Sequence, residues 1–278
     1  MQIIHTIAEL RQRLANQKNI GFVPTMGNLH AGHIHLVNLA KQHSDCVVVS
    51  IFVNPLQFGV NEDLAAYPRT LDEDCKKLEV VGVDIVFAPS ESEVYPTPQT
   101  MTILPPVIAD QLCGASRPGH FAGVATVVSK LFNIVRPHIA VFGKKDFQQL
   151  FIIRQLISQF NLPIEIVAGE TMREEDGLAM SSRNGYLNAA ERLEAKRLNR
   201  ALKLVVDAVK KKKLSFAEIE SQTTQYLTQL GWIVDYISIR SAKTLLEATT
   251  HDQNLIVLGA ARLGKTRLID NIEFDLAS

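Results

Sequence analysis

IGFVPTMGNLHAGHIHLVNLAKQ, residues 20–42, moves from a strand through a loop into a helix, and its reading decides the fold. Residues 20–24 are a short apolar run rich in strand formers, and residues 33–42 carry apolar side chains at helical spacing. Between them Gly27 and Gly32 allow the backbone to come close to a ligand. Ligands of open α/β sheets bind beyond the carboxyl ends of the strands. A helix N-terminus offers unpaired N–H groups and a positive dipole end to a phosphate. His30 and His33, three residues apart, can face the same phosphates as donors to charge that develops during transfer.

Working outward, the same alternation recurs. Continuous apolar runs at residues 46–53, 84–88, 139–142 and 164–167 read as strands covered on both faces, and residues 71–81, 124–135 and 147–160 have helical period. This is the pattern of βα units around a doubly wound, Rossmann-like parallel sheet. Residues 89–123 carry several prolines without a clear period and read as a loop or flap. After Met172 the texture changes. A polar loop leads to a charged helix over residues 188–213 with Asn188 as its cap, then a helix over 215–230 and strands over 234–240, 255–258 and 266–272. The expectation is an α/β domain over residues 1–171 and a smaller α+β domain over residues 172–278.

The composition bounds the function. With 278 residues, 46% hydrophobic and 21% charged, the chain reads as globular. The 29 basic and 29 acidic residues cancel, so no net field favours nucleic acid or an anionic membrane. No apolar run reaches the length of a membrane span, and the N-terminus lacks a signal peptide's apolar core. Cys46, Cys75 and Cys113 are widely spaced and unpaired in pattern, which predicts buried thiols in a reducing, cytoplasmic compartment.

A second polar cluster, GLAMSSRNGY at 177–186, places Ser181, Ser182 and Arg183 on a loop as donors suited to a triphosphate. Metal ligation by HAGHIH ranks below phosphate binding, because no HExxH glutamate and no cysteine at ligand spacing accompanies it. GAARLGKT at 259–266 formally matches the phosphate-loop pattern G-x-x-x-x-G-K-[ST]. That loop must open a helix, whereas RLIDNIEF continues with strand-like alternation, so the kinase reading is rejected.

HxGH followed by a serine-rich MSS loop resembles the signature of the nucleotidyltransferase superfamily. NPLQFGVNEDLAAYPRT (54–70), RPGHFAGVATVVSKLFNIVRP (117–137), FGKKDFQQL (142–150), DGLAMSSRNGYL (176–187) and RLGKTRLIDNI (262–272) narrow the likeness to the pantothenate synthetase family, over nearly the whole chain. The resemblance implies ATP-dependent condensation of pantoate with β-alanine through a pantoyl adenylate, releasing pyrophosphate and then AMP, in a homodimer. It places the nucleotide loop on Met26, Gly27, Asn28, Leu29, His30, Ala31, Gly32 and His33, with His33 as the catalytic histidine. It assigns pantoate to Gln57 and Gln149 and β-alanine to Gln57. The rest of the ATP site falls on Gly143, Lys144, Lys145, Asp146, Met172, Met180, Ser181, Ser182 and Arg183. Asn28, Ala31 and Met172 occupy positions that vary between relatives, and none removes a polar catalytic group.

The implied chemistry rests on positioning and electrostatics rather than a protein nucleophile. His30, His33, Lys145, Ser181, Ser182 and Arg183 would neutralise charge, Mg²⁺ would bridge the phosphates, and closure of the C-terminal domain would exclude water. His120, in RPGHF, reads equally as a structural loop residue or as one folding over the substrate. Two rival readings are a nucleotidyltransferase with a phosphate acceptor and a non-catalytic nucleotide-binding regulator. Release of AMP separates both from the adenylating ligase.

Overall fold

The computed structural model describes residues 1–59 and 64–276. Residues 60–63 of the NPLQFGVNEDLAAYPRT motif lie outside the described residues. The chain forms two compact units. The first comprises Met1–Ala109, Arg117–Lys144 and Gln149–Glu170. The second comprises Asp110–Ser116, Lys145–Gln148 and Thr171–Ser278.

In chain order the elements that build the sheet of the first unit are β1 (Gln2–Ile4), α1 (Ile7–Leu14), β2 (Ile20–Thr25), α2 (Ala31–His43), β3 (Cys46–Ile51), α3 (Leu71–Val80) and β4 (Ile85–Phe87). They continue through α4 (Glu91–Val94), α5 (Cys113–Ser116, counted with the second unit), α6 (His120–Val135), β5 (Ile139–Gly143), α7 (Phe147–Gln159) and β6 (Glu165–Gly169). The strands run in the order β1-β4-β3-β2-β5-β6, and every pair is parallel. Alternation along the strands explains the continuous apolar runs. Phe22, Val48, Ile85 and Ala140 pack on one face with Leu10, Val128, Leu131 and Ile153, while Val23, Val47, Val49 and Val141 pack on the other with Val37, Ala40 and Leu78. Helices therefore cover both faces, as a doubly wound sheet requires.

The second unit adds α8 (Ala189–Ala195), α9 (Arg197–Lys211), α10 (Phe216–Gln229), β7 (Ile233–Ser241), β8 (Asn254–Leu263) and β9 (Thr266–Asp275). The three strands form an antiparallel meander. A Cβ on Gly259 would stand 3.1–3.2 Å from Ile237, Leu202 and Leu198, so the missing side chain lets α9 lie close against the sheet.

The sequence reading needs correction in three places, while its expectation for GAARLGKT holds. β1 was not anticipated, because its three residues borrow their stability from pairing with β4 rather than from local pattern. α6 opens at His120, one turn before residue 124, and residues 89–123 hold the short helices α4 and α5 and a 3-10 turn at Val107–Asp110. The helix expected over 188–213 divides at Lys196 into α8 and α9, with Asn188 capping α8 as expected. GAARLGKT opens no helix: Leu263 pairs with Thr266 across a two-residue hairpin turn in which Gly264 has φ 57°.

Cys46 and Cys75 are buried, and burial pushes both thiols up, but Cys113 is only half-buried. No helix among the described residues is long and apolar enough to cross a membrane.

Candidate active site

In the first unit the strand order reverses between β2 and β5. The chain leaves β2 for β3 on one side and returns through β5 and β6 on the other. The loops after these two neighbouring strands carry Met26–His33 and Gly143–Lys144, which is the switch-point position where α/β sheets bind ligands.

The first loop turns sharply. Gly27 has φ 83° and Asn28 φ 50°, left-handed conformations suited to glycine and tolerated by asparagine. Asp74, fully buried on α3, holds the turn: the N–H groups of Asn28 and Leu29 donate to its two oxygens at 2.8 and 2.7 Å, and Thr70 Oγ1 donates at 3.1 Å. Lys77 Nζ, one helical turn on, donates to the Leu29 carbonyl at 2.7 Å.

His30 is the N-cap of α2. The Gly32 N–H donates to His30 Nδ1 at 3.1 Å, and the His30 N–H donates to His33 Nδ1 at 3.2 Å. Both Nδ1 atoms are acceptors, so each ring carries its hydrogen on Nε2. The ring centroids are 4.1 Å apart. Capping thus fixes a tautomer pair with Nε2–H donors at a helix N-terminus.

Gln57 sits in a 3-10 turn, Pro55–Gln57, and is buried. Its amide is oriented from both ends: Asn54 Nδ2 donates to Gln57 Oε1 at 3.1 Å, and Gln57 Nε2 donates to Met26 Sδ at 3.1 Å. Asn54 is in turn oriented by Tyr95 Oη, which donates to its Oδ1 at 2.8 Å. Burial pushes the Tyr95 phenol up to about 12, so it stays protonated and remains a donor. His120 is tied to the same turn: its Nδ1–H donates to the Gln57 carbonyl at 2.8 Å, and Arg117 Nη1 donates to its Nε2 at 2.9 Å. Sequence reasoning passed over Asn54, Asp74 and Tyr95, although Asn54 stands three residues before Gln57 in the quoted motif. Gln149 lies in the first turn of α7, after the end of β5. Lys144 Nζ is paired with Glu170 at 2.6 Å.

The remaining expected site residues, Lys145, Asp146, Met172 and Met180–Arg183, belong to the second unit. Lys145 and Asp146 end a 3-10 turn, with Nζ and carboxylate 3.7 Å apart. Met172 and Met180 are brought together, because the Met180 N–H donates to the Met172 carbonyl at 2.9 Å. Ser181 then caps the 3-10 turn Ser182–Tyr186, its Oγ accepting from the Arg183 N–H at 3.2 Å. Asn184 Nδ2 donates back to the Ala179 carbonyl at 3.0 Å.

Comparison with known proteins gives this geometry its context. The family model described as pantoate-beta-alanine ligase matches residues 2–273. A pantothenate synthetase of Methylobacillus flagellatus is 70% identical over 276 residues, 99% of each chain, and one of Thiobacillus denitrificans is 57% identical over 279 residues, 100% of this chain and 99% of its own. Among solved structures, the pantothenate synthetase of Thermus thermophilus superposes with a TM-score of 0.92 at 43% identity, covering 98% of this chain and 99% of its own. The pantoate-beta-alanine ligase of Francisella tularensis, solved with a β-γ ATP compound and β-alanine, superposes with a TM-score of 0.84 at 35% identity, covering 100% of this chain and 98% of its own. The histidine-capped loop, the fold and the whole length of the sequence agree on one assignment: the chain belongs to the pantoate–β-alanine ligase family.

Proposed function

We propose that this chain condenses pantoate with β-alanine by first adenylating pantoate, and that the histidine-capped loop after β2 binds the phosphates of ATP. In the first half-reaction a pantoate carboxylate oxygen attacks the α-phosphorus, the bond to the bridging oxygen breaks, and pyrophosphate leaves. In the second, the β-alanine amine attacks the acyl carbon, the bond to AMP breaks, and the amine loses a proton as pantothenate forms. Family membership supports the overall reaction and ATP as its substrate.

The observation that carries the reading is the tautomer pair at the start of α2. Each ring accepts a backbone N–H at Nδ1, which places the ring hydrogen on Nε2, a donor of the kind that stabilises the phosphate charge growing as pyrophosphate departs. Lys145, Ser181, Ser182 and Arg183 supply further donors, while Met26–Gly32, Gly143, Lys144, Asp146, Met172 and Met180 line the nucleotide. Gln57 and Gln149 hold pantoate, and Gln57 also meets β-alanine. Amide groups bind a hydroxy acid without reacting with it, and the fixed orientation of Gln57 supports this role.

Mg²⁺ fits as a companion of the triphosphate. Among the described residues no three His, Cys, Asp or Glu side chains gather to hold a metal, and such ions are commonly held through substrate phosphates and water. Its contribution would be to neutralise phosphate charge, and Asp146 is the carboxylate within the proposed set. The unpaired thiols fit a cytoplasmic enzyme, and a homodimer completes the proposal.

Pantoate-dependent exchange of pyrophosphate into ATP tests the first half-reaction. His33→Ala should slow exchange by about a hundredfold to a thousandfold, the usual effect of removing one donor to developing charge. Near-normal exchange in that variant would defeat the assignment.

A further inference from the structure

The motif RLGKTRLIDNI does not bind phosphate as a loop, yet its last residues build one of the most heavily hydrogen-bonded places in the second unit. Adjacent residues of a strand point to opposite faces, so Asp270 and Asn271 of β9 reach two different segments.

Asp270 is buried and meets Arg173 as a two-pronged ion pair, Nη1 to Oδ2 at 2.8 Å and Nη2 to Oδ1 at 2.9 Å. Asn199 Nδ2 of α9 donates to Oδ2 at 2.9 Å, and the Asn271 N–H donates to Oδ1 at 2.8 Å. A carboxylate so matched is held in one orientation, and so is its guanidinium partner. Arg173 stands at the base of a small hairpin: it bridges to Ala179, and its Nη1 also donates to the Gly177 carbonyl at 3.2 Å. The arm beyond that base is Met180, Ser181, Ser182 and Arg183. On the other face, Asn271 Nδ2 donates to the main-chain carbonyl of Lys145 at 2.9 Å.

We infer that Asp270 and Asn271 are positioning residues for ATP: Asp270 sets the serine-arginine loop through Arg173, and Asn271 sets Lys145 by holding its carbonyl. The inference rests on the reading of Lys145 and Ser181–Arg183 as nucleotide-binding groups. As positioning residues, both act through the placement of others. A misplacement of about 1 Å in such a group costs about a hundredfold in rate.

The test compares Asn271→Ala, Lys145→Ala and the double variant in pantoate-dependent pyrophosphate exchange, with ATP and pantoate varied separately and thermal unfolding recorded. Asn271→Ala should raise the KM for ATP and lower kcat, up to about a hundredfold combined, while the KM for pantoate stays unchanged. The double variant should be no slower than Lys145→Ala, because in Lys145→Ala Asn271 still holds the carbonyl of residue 145 but no longer aims an ammonium group by it. Asp270→Asn, which keeps the shape but removes the charge facing Arg173, should also raise the KM for ATP selectively. If it fails to fold, Asn271→Ala decides alone. Normal kinetics in Asn271→Ala beside a crippled Lys145→Ala, or additive losses in the double variant, would overturn this inference and leave the reading of Lys145 standing. Normal exchange in Lys145→Ala would overturn that reading and the inference with it.

Discussion

At the residue scale, single atoms in this protein serve structure and chemistry together. His30 Nδ1 and His33 Nδ1 satisfy N–H groups that any helix start leaves open, and by doing so they fix where each ring's hydrogen sits. Asp74 works the same way from behind, taking two loop N–H groups and the Thr70 hydroxyl on one buried carboxylate. Asp74→Asn offers one acceptor oxygen in place of two and turns an amide NH₂ toward a loop N–H. It should cost about 1–3 kcal/mol of stability and weaken ATP binding, since the Gly27–Asn28 turn loses its anchor. Urea unfolding and ATP titration check this, and an unchanged ATP affinity would rule out a positioning role. The histidines and glycines of this loop were legible because their spacing alone carries meaning. Asp74 was not legible, because nothing local links it to a loop 46 residues away.

At the element scale the approach of α6 to the Pro55–Gln57 turn matters most. A Cβ on Gly123 would lie 2.2 Å from the Leu56 carbonyl oxygen and 2.8 Å from Gln57 Cα, both main-chain atoms that cannot swing aside. Gly123→Ala must therefore push the turn that carries Gln57. The expected outcome is a loss of about 1–3 kcal/mol from overpacking and a raised KM for pantoate, with the KM for ATP little changed. Steady-state kinetics with each substrate varied would read the split, and equal changes in both constants would count against it. The early start of α6 belongs to the same contact. Gly119, at φ 80°, turns the chain so that His120 opens the helix within reach of the Gln57 carbonyl, a long-range bond that no periodicity reveals.

At the scale of the whole molecule, the parallel order of six strands brings the ends of β2 and β5 side by side, although 113 residues of chain lie between Thr25 and Ile139. The division into units is not a single cut. Residues 110–116 and 145–148 join the second unit through polar contacts, among them Arg240 Nη1 to Gln111 Oε1 at 2.9 Å and Asn271 to the Lys145 carbonyl. The proposed homodimer has a candidate surface in the first unit. Met101, Leu104 and Val107 are 83%, 92% and 77% exposed within one short run, a density that isolated surface apolar residues do not explain. Sedimentation of the 30.9 kDa chain should give twice that mass, and Leu104→Asp should shift it to the monomer. A dimer that survives the substitution would place its interface elsewhere.

By itself the sequence determined the class of fold and the kind of chemistry. Strands covered on both faces must be apolar throughout, and the proposed phosphate site at a strand end shows as glycines and histidines at close spacing, so both leave local marks. Only the tertiary structure decided which polar groups hold those residues in place. Asp74, Asp270 and Asn271 bond across long stretches of chain, and a hydrogen bond between distant residues leaves no period, spacing or composition to read.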